Sequence, residues 1–470
     1  MAVRHSDGGA PLVVVANRLP VERDDESPDA WRSSPGGLVA ALEPVVRASE
    51  GTWVGWSGSA DEALDPFEVG GLRMVPVDLS ASEVEDYYAG FSNATLWPLY
   101  HDAIAPPQFE RHWWKAYRSV NRRFAEAASA EAADAAVVWV QDYQLQLVPA
   151  LLRELRPDLR IGFFDHIPFP GLEIFARLPW RRQIIEGLLG ADLIGFQRRD
   201  DADNFLRAAR RYTTSKVRGS IIAPSSGDTP DERQVHVGSF PISVDFASLE
   251  RLADRRDVKE RARQLRRDLG DPQTVLLGID RLDYTKGILL RLRAYGELLD
   301  EGAFEGTETV LVQVASPSRE HVEEYQRLRD DVELIVGRIN GDHSTLGFPV
   351  IHYLHQTFPA EEMAALYLAA DVMLVTPLRD GMNLVAKEFV ASHHDGRGVL
   401  VLSEFTGAAD ELRDALLINP FDIDATKAAI LAATRLPSQV AARRMASMRR
   451  QVHKHDVHYW AQTFLETLTR

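Results

Sequence analysis

The chain contains no cysteine. Disulfides, thiolate nucleophiles and cysteine-based zinc sites are thereby excluded, and the absence suits a cytoplasmic protein. No apolar run reaches the roughly 18 residues of a membrane span. The first residues, MAVRHSDGGAP, hold no apolar signal region, so neither spanning nor export is expected. Cations are outnumbered: the formal net charge is −16, which argues against nucleic acid or a membrane surface as the main partner. A phosphorylated ligand would have to be gripped by local cations against an acidic background. H-E-x-x-H, EF-hand, Walker A, G-x-S-x-G and G-x-G-x-x-G patterns are all missing.

What is present is an alternation. The chain of 470 residues is too long for one core, so two or more domains are expected. Apolar strands such as PLVVVANR, AAVVWVQDY, RIGFFDHI and TVLLGI alternate with amphipathic helices such as LVPALLREL and ILLRLRAYGELL. The pattern runs twice, which predicts two α/β, Rossmann-like doubly wound domains with parallel sheets. The boundary falls near FPISVDFASLE, after the polar turn SSGDTPDE. The expected division is 1–243, 244–450, and a C-terminal segment 451–470 docking back on the first domain. In that segment Val457, Trp460, Phe464 and Leu468 recur at helical spacing. The highly charged RLADRRDVKERARQLRRDLG reads as a solvated helix. Two such domains facing each other would leave a central cleft, with ligands at the carboxyl ends of the strands.

The strand ends carry the chemistry. TVLLGI runs into Asp280, Arg281, Asp283 and Lys286. An arginine fork and a lysine point charge together suit a diphosphate; alternatively, Asp280 and Asp283 neutralise the two cations in a surface cluster. Arg18 ends PLVVVANR and precedes Pro35-Gly36-Gly37, where glycines before a helix allow close approach of an anion, although by itself the pattern is more often a simple turn. Asp142, Asp165-His166 and Arg319 end other strands. VMLVTP leads into Asp380 and a helix near Asn383, and Glu388 farther on is placed to accept ribose hydroxyls or, alternatively, is a helix-surface charge paired with Lys387 or a neighbour. Tyr87, Tyr88 and Trp97, with Trp53 and Trp56, offer aromatic faces for a sugar, with Trp53 read as core. Together these suggest a nucleotide-sugar donor and a sugar-phosphate acceptor.

The motifs ANRLP, PGGL, GWSG, YYAGFSNATLWP, QDYQL, HIPFP, DRLDYTKGI, ASPSR, GRING and PLRDGMNLVAKEFV, in this order across about residues 13 to 420, resemble the trehalose-6-phosphate synthase family. The resemblance implies a GT-B fold and a retaining glucosyltransferase. Its donor is UDP-, GDP- or ADP-glucose and its acceptor glucose 6-phosphate. It further implies catalytic contributions from Arg281, Lys286, His166 and Asp380, with Gly37, Asn383, Leu384 and Glu388 on the donor. Arg18, Trp56, Tyr88, Trp97, Asp142 and Arg319 would hold the acceptor. No metal and no other cofactor is implied, and a homo-oligomer is one option for its assembly. Two departures touch substrate contacts. Gln141-Asp142-Tyr143-Gln144 stands where the family commonly has His-Asp-Tyr-His. Asp165 stands where many members have an apolar residue, either raising the basicity of His166 or capping a turn. A transferase using another acceptor such as glycerol 3-phosphate, an inactive sugar-phosphate-binding regulator, and a pyridoxal-phosphate phosphorylase are the alternatives.

Overall fold

TVLLGI becomes the core of the strand Thr274–Arg281, buried from Val275 to Asp280 and exposed only at Arg281. A continuous apolar run is what a strand covered on both faces requires. The computed structural model describes residues 9–23, 31–33, 37–226, 229–230, 233–304, 308–319 and 322–470. Pro35 and Gly36, and Gly227, Asp228, Asp231 and Glu232 of the expected polar turn, lie outside the described residues. The chain divides into two units: one ends at Ile242 and takes back His458–Arg470, the other is Ser243–Val457. The helix Ser438–Lys454 therefore stays with the second unit.

Among the described residues of the first unit seven parallel strands form the middle of a ten-stranded sheet, and its two edges are antiparallel. The strand Ala10–Arg18 lies between Thr52–Trp56 and Ala132–Gln141. The chain builds outward through Thr52–Trp56 to Leu72–Pro76, then returns to Ala132–Gln141 on the other side. The order of strands thus reverses between Arg18 and Asp142, the kind of switch point where open α/β sheets bind ligands. Trp460 and Phe464 lie against Trp139 of this sheet, with ring centroids 5.0 and 4.5 Å away.

Among the described residues the second unit has six parallel strands in the order Ile351–Leu354, Thr309–Ser316, Thr274–Arg281, Val372–Val375, Val399–Ser403, Leu416–Ile418. Numbered along the chain this is 3-2-1-4-5-6, the doubly wound dinucleotide-fold order. Its switch point lies between the ends of Thr274–Arg281 and Val372–Val375. The charged segment after the boundary is two helices, Phe246–Asp254 and Arg256–Asp268, separated by the extended backbone of Arg255. The break lets Val258 and Ala262 pack against Ala364, Ala365 and Ala369 while the remaining face stays in water. Among the described residues no helix is long and apolar enough to cross a membrane.

Candidate active site

At the second unit's switch point the chain leaves the strand at Arg281, makes a short 3-10 turn at Tyr284–Lys286, and enters the helix Ile288–Asp300. Gly287 makes this entry possible. Its φ is +66°, and a Cβ there would lie 2.2 Å from the Thr376 carbonyl oxygen. The turn is tied to the opposite loop, because Leu378 N–H donates to Thr285 O at 2.7 Å. Across the same gap Lys286 Nζ lies 2.7 Å from Asp380 Oδ2, which also accepts from Asn383 Nδ2 at 3.2 Å. Asn383, at φ +82°, caps the helix Leu384–Ser392 by accepting Ala386 N–H on its side chain. The fold therefore brings Lys286, Asp380, Asn383 and the start of that helix together.

The two aspartates of DRLDYTKG have partners that sequence did not reveal. Asp280 receives the guanidinium of Arg291, 2.7 Å away, which also donates to Gln313 at 2.9 Å and to Thr376 Oγ1 at 3.0 Å. Burial raises the Asp280 pKa, with Arg291 opposing. Asp283 accepts from Thr285 N–H, Thr285 Oγ1, Tyr325 OH and Arg319 Nη1. Burial alone would push its carboxyl up, yet the charges of Arg319, Arg281 and Lys286 outweigh it and hold the pKa down at about 2. The aspartates are thus hydrogen-bonded by arginines from outside the motif, while the charges of Arg281 and Lys286 also bear on Asp283, and both carboxylates are buried rather than part of a surface cluster. The only sequence hint of Arg291 was a cation inside the apolar run ILLRLRAY.

Glu388 lies in the second turn of the helix Leu384–Ser392 and accepts Tyr367 OH at 2.6 Å. Burial raises its pKa, and the phenol bond opposes the rise. The neighbouring Lys387 is buried and pairs with Glu411. Arg319 belongs to this unit too. Its backbone φ is +49°, its side chain is 7% exposed, and its guanidinium is seated on Asp283 and Tyr325.

In the first unit the segment Val84–Leu96 is a π-helix of 13 residues. Such helices are rare, are mostly single turns, and often occur at functional sites; no apolar period announces them, so the sequence showed only its aromatics. Two side-chain bonds pin it to strand ends: Tyr87 OH donates to Asn17 at 2.7 Å, and Tyr143 OH to Asn93 at 2.8 Å. Tyr87 and Trp53 are core, whereas Tyr88 is half-buried and meets the Trp56 ring edge-on at 5.6 Å. The Arg18 guanidinium lies 5.0 Å over Trp56, and Gly58, at φ +100°, leaves it room. Arg18, Trp56 and Tyr88 are thus one group. Trp97 packs instead on His101 and Tyr143, at 4.2 and 5.8 Å. Gly37 opens the helix Gly37–Ala48.

Asp142 has φ +75° and ψ 166°, a region nearly reserved for glycine and worth about 1–3 kcal/mol of strain. Such strain persists where surroundings over-determine it. Here Asp142 N–H donates to Phe164 O at 2.7 Å and its carboxylate accepts His166 N–H at 3.2 Å. The His166 ring is oriented by two glutamines. Gln197 Oε1 accepts Ile242 N–H at 2.9 Å, which turns its Nε2 to His166 Nδ1 at 3.4 Å. His166 Nε2 therefore carries the proton and donates it to Gln141 Oε1 at 2.9 Å. Burial lowers the His166 pKa to about 3, so the ring is neutral. Asp165 does not raise it. Its Oδ1 accepts Ile167 N–H at 3.4 Å as a turn cap, and burial pushes its own pKa well up.

The model of the glycosyltransferase family 20 matches residues 10–470. The chain is 56% identical to the trehalose-6-phosphate synthase of Mycobacterium avium (strain 104), over 98% of this chain and 96% of that protein. It is similar in structure to an alpha,alpha-trehalose-phosphate synthase (UDP-forming) from Burkholderia xenovorans in complex with glucose-6-phosphate. There the TM-score is 0.89 at 32% identity, covering 98% of this chain and 100% of that one. The E. coli trehalose-6-phosphate structure bound with UDP-2-fluoro glucose gives 0.88 at 35% identity, covering 98% and 99%.

Proposed function

The chain belongs to glycosyltransferase family 20, and from that premise we infer how its residues divide the work of trehalose-6-phosphate synthesis. It transfers glucose from a nucleotide-glucose to glucose 6-phosphate. In our reading transfer is retaining. The acceptor hydroxyl attacks the anomeric carbon on the face the diphosphate leaves, through an oxocarbenium-like transition state, and a leaving phosphate oxygen takes the proton. The protein's part is positioning and charge stabilisation.

The observation that carries this reading is the grouping of Lys286, Asp380 and the Asn383-capped helix at the switch point that Arg281 also ends. Arg281 and Lys286 take the donor diphosphate, with the backbone at Asn383 and Leu384 supplying helix N-terminal donors. Because Lys286 and Asp380 are 2.7 Å apart, a phosphate oxygen on one and a glucose hydroxyl on the other would lie side by side. Glu388 accepts the ribose hydroxyls and Gly37 approaches the donor. In the first unit Arg18 is the phosphate cation and Trp56, Tyr88 and Trp97 are the aromatic wall. Asp142 accepts an acceptor hydroxyl, and His166 meets the donor glucose as a neutral, oriented imidazole. Arg319 adds a second cation for the acceptor phosphate, on a guanidinium whose other side is held by Asp283.

The test presents UDP-, GDP- and ADP-glucose in turn, each with glucose 6-phosphate or glycerol 3-phosphate, and reads the products by NMR. An α,α-linked disaccharide phosphate formed only with glucose 6-phosphate supports the reading. Transfer to glycerol 3-phosphate at equal efficiency, or a β linkage, defeats it.

A further inference from the structure

We propose that Tyr367 is the positioning residue that aims Glu388 at the ribose of the donor nucleotide. The inference rests on the reading of Glu388 as the ribose acceptor and adds the residue that makes that acceptor work.

Glu388 and Tyr367 sit on different helices, Leu384–Ser392 and Ala360–Ala369. Tyr367 is 1% exposed, and its hydroxyl donates to Glu388 Oε2 at 2.6 Å. Its ring meets Phe389 edge-on with centroids 6.4 Å apart. On the same helix Ala364, Ala365 and Ala369 are packed against Val258 and Ala262. The phenol is therefore a fixed arm. Lys387, the nearest cation in sequence, pairs with Glu411.

A carboxylate has two oxygens and about four acceptor directions. A vicinal diol needs that carboxylate in one orientation, so that two hydroxyls can donate to it. A phenol O–H is a donor that spends one direction on Oε2 and fixes the plane of the group. It also favours the charged carboxylate against the burial that disfavours it. A tyrosine merely filling core space would do neither.

The experiment compares wild type with Tyr367→Phe, which keeps the ring and removes the donor. Affinity is measured for whichever of UDP, GDP and ADP binds tightest and for its 2′,3′-dideoxy counterpart. Wild type should bind the ribose form roughly 10- to 100-fold tighter, the range of hydrogen bonds to a charged group. Tyr367→Phe should weaken the ribose form about 3- to 10-fold, leave the dideoxy form unchanged, and raise donor KM with little change in kcat. In a Glu388→Gln background the same substitution should have a smaller effect. Equal weakening of both nucleotides, or full retention of discrimination in Tyr367→Phe, overturns the positioning role and leaves Glu388 standing. If wild type binds both forms equally, the Glu388 reading itself falls. Should Tyr367→Phe unfold, the Glu388→Gln variant alone decides whether discrimination depends on this carboxylate. An unfolded Tyr367→Phe counts against the proposal, since the residue would then be structural.

Discussion

Arg319 Nη1 lies 3.1 Å from Asp283 Oδ2, and the two side chains are 7% and 0% exposed. Asp283 also holds Thr285, so this pair fixes the turn that carries Lys286. An arginine that only gripped an acceptor phosphate would leave donor binding untouched when removed. The buried pair predicts otherwise. Arg319→Ala takes the hydrogen-bonded cation from a buried carboxylate and should cost up to about 3–5 kcal/mol of stability. It should raise the Michaelis constants of donor and acceptor together. Urea unfolding with two-substrate kinetics measures both. A variant of wild-type stability with only acceptor binding impaired would show that the Asp283 contact carries no weight.

Arg281 should behave differently. It ends its strand exposed, and its proposed task is to meet charge that grows on the leaving diphosphate. Arg281→Ala should therefore lose turnover, by about 10²–10³-fold or roughly 3–4 kcal/mol. Donor KM should change far less. A large change in acceptor KM alone would mean that the residue serves the wrong substrate in this account.

Acid should act on the fold through Asp283 and His166 among other buried groups, two of opposite charge type but the same sign of effect. Asp283 has its pKa lowered from 3.8 to about 2, so its contribution is present above the unfolded pKa and is lost as pH falls from about 4 toward 2. His166 has its pKa lowered from 6.5 to about 3. Between those values the unfolded chain binds a proton that the folded chain refuses, so stability declines as pH drops below 6.5. His166→Gln should flatten that decline, and NMR should find no His166 titration between pH 5 and 8. A ring that titrates near 6.5 would contradict the glutamine-held neutral tautomer.

Activity should survive exhaustive chelation, because Arg281 and Lys286 are assigned the charge of the leaving diphosphate. Assays after EDTA treatment and desalting check this. Turnover that vanishes and returns with magnesium would remove that assignment.

Much of the architecture was legible in the chain itself. Apolar runs such as TVLLGI and VVWV had the length and composition of buried strands, and charges gathered where those runs stopped. That is enough to predict doubly wound sheets with ligand groups at their carboxyl ends, since hydrophobic period and breaker residues act over a few neighbours. The pairings were not legible. Asp280 meets Arg291, Asp283 meets Arg319, and Glu388 meets Tyr367. Each joins separate elements, and no local pattern tells which of many charged or aromatic side chains will arrive. The π-helix Val84–Leu96 and the positive φ of Asp142 escaped for a related reason. Both are locally unfavourable conformations, held only because bonds from elsewhere, Tyr87 to Asn17 and Asp142 to Phe164 among them, over-determine them. Local free energies write the strands and their charged ends into sequence; the orientation of each charge depends on long-range contacts that exist only once the sheets have formed.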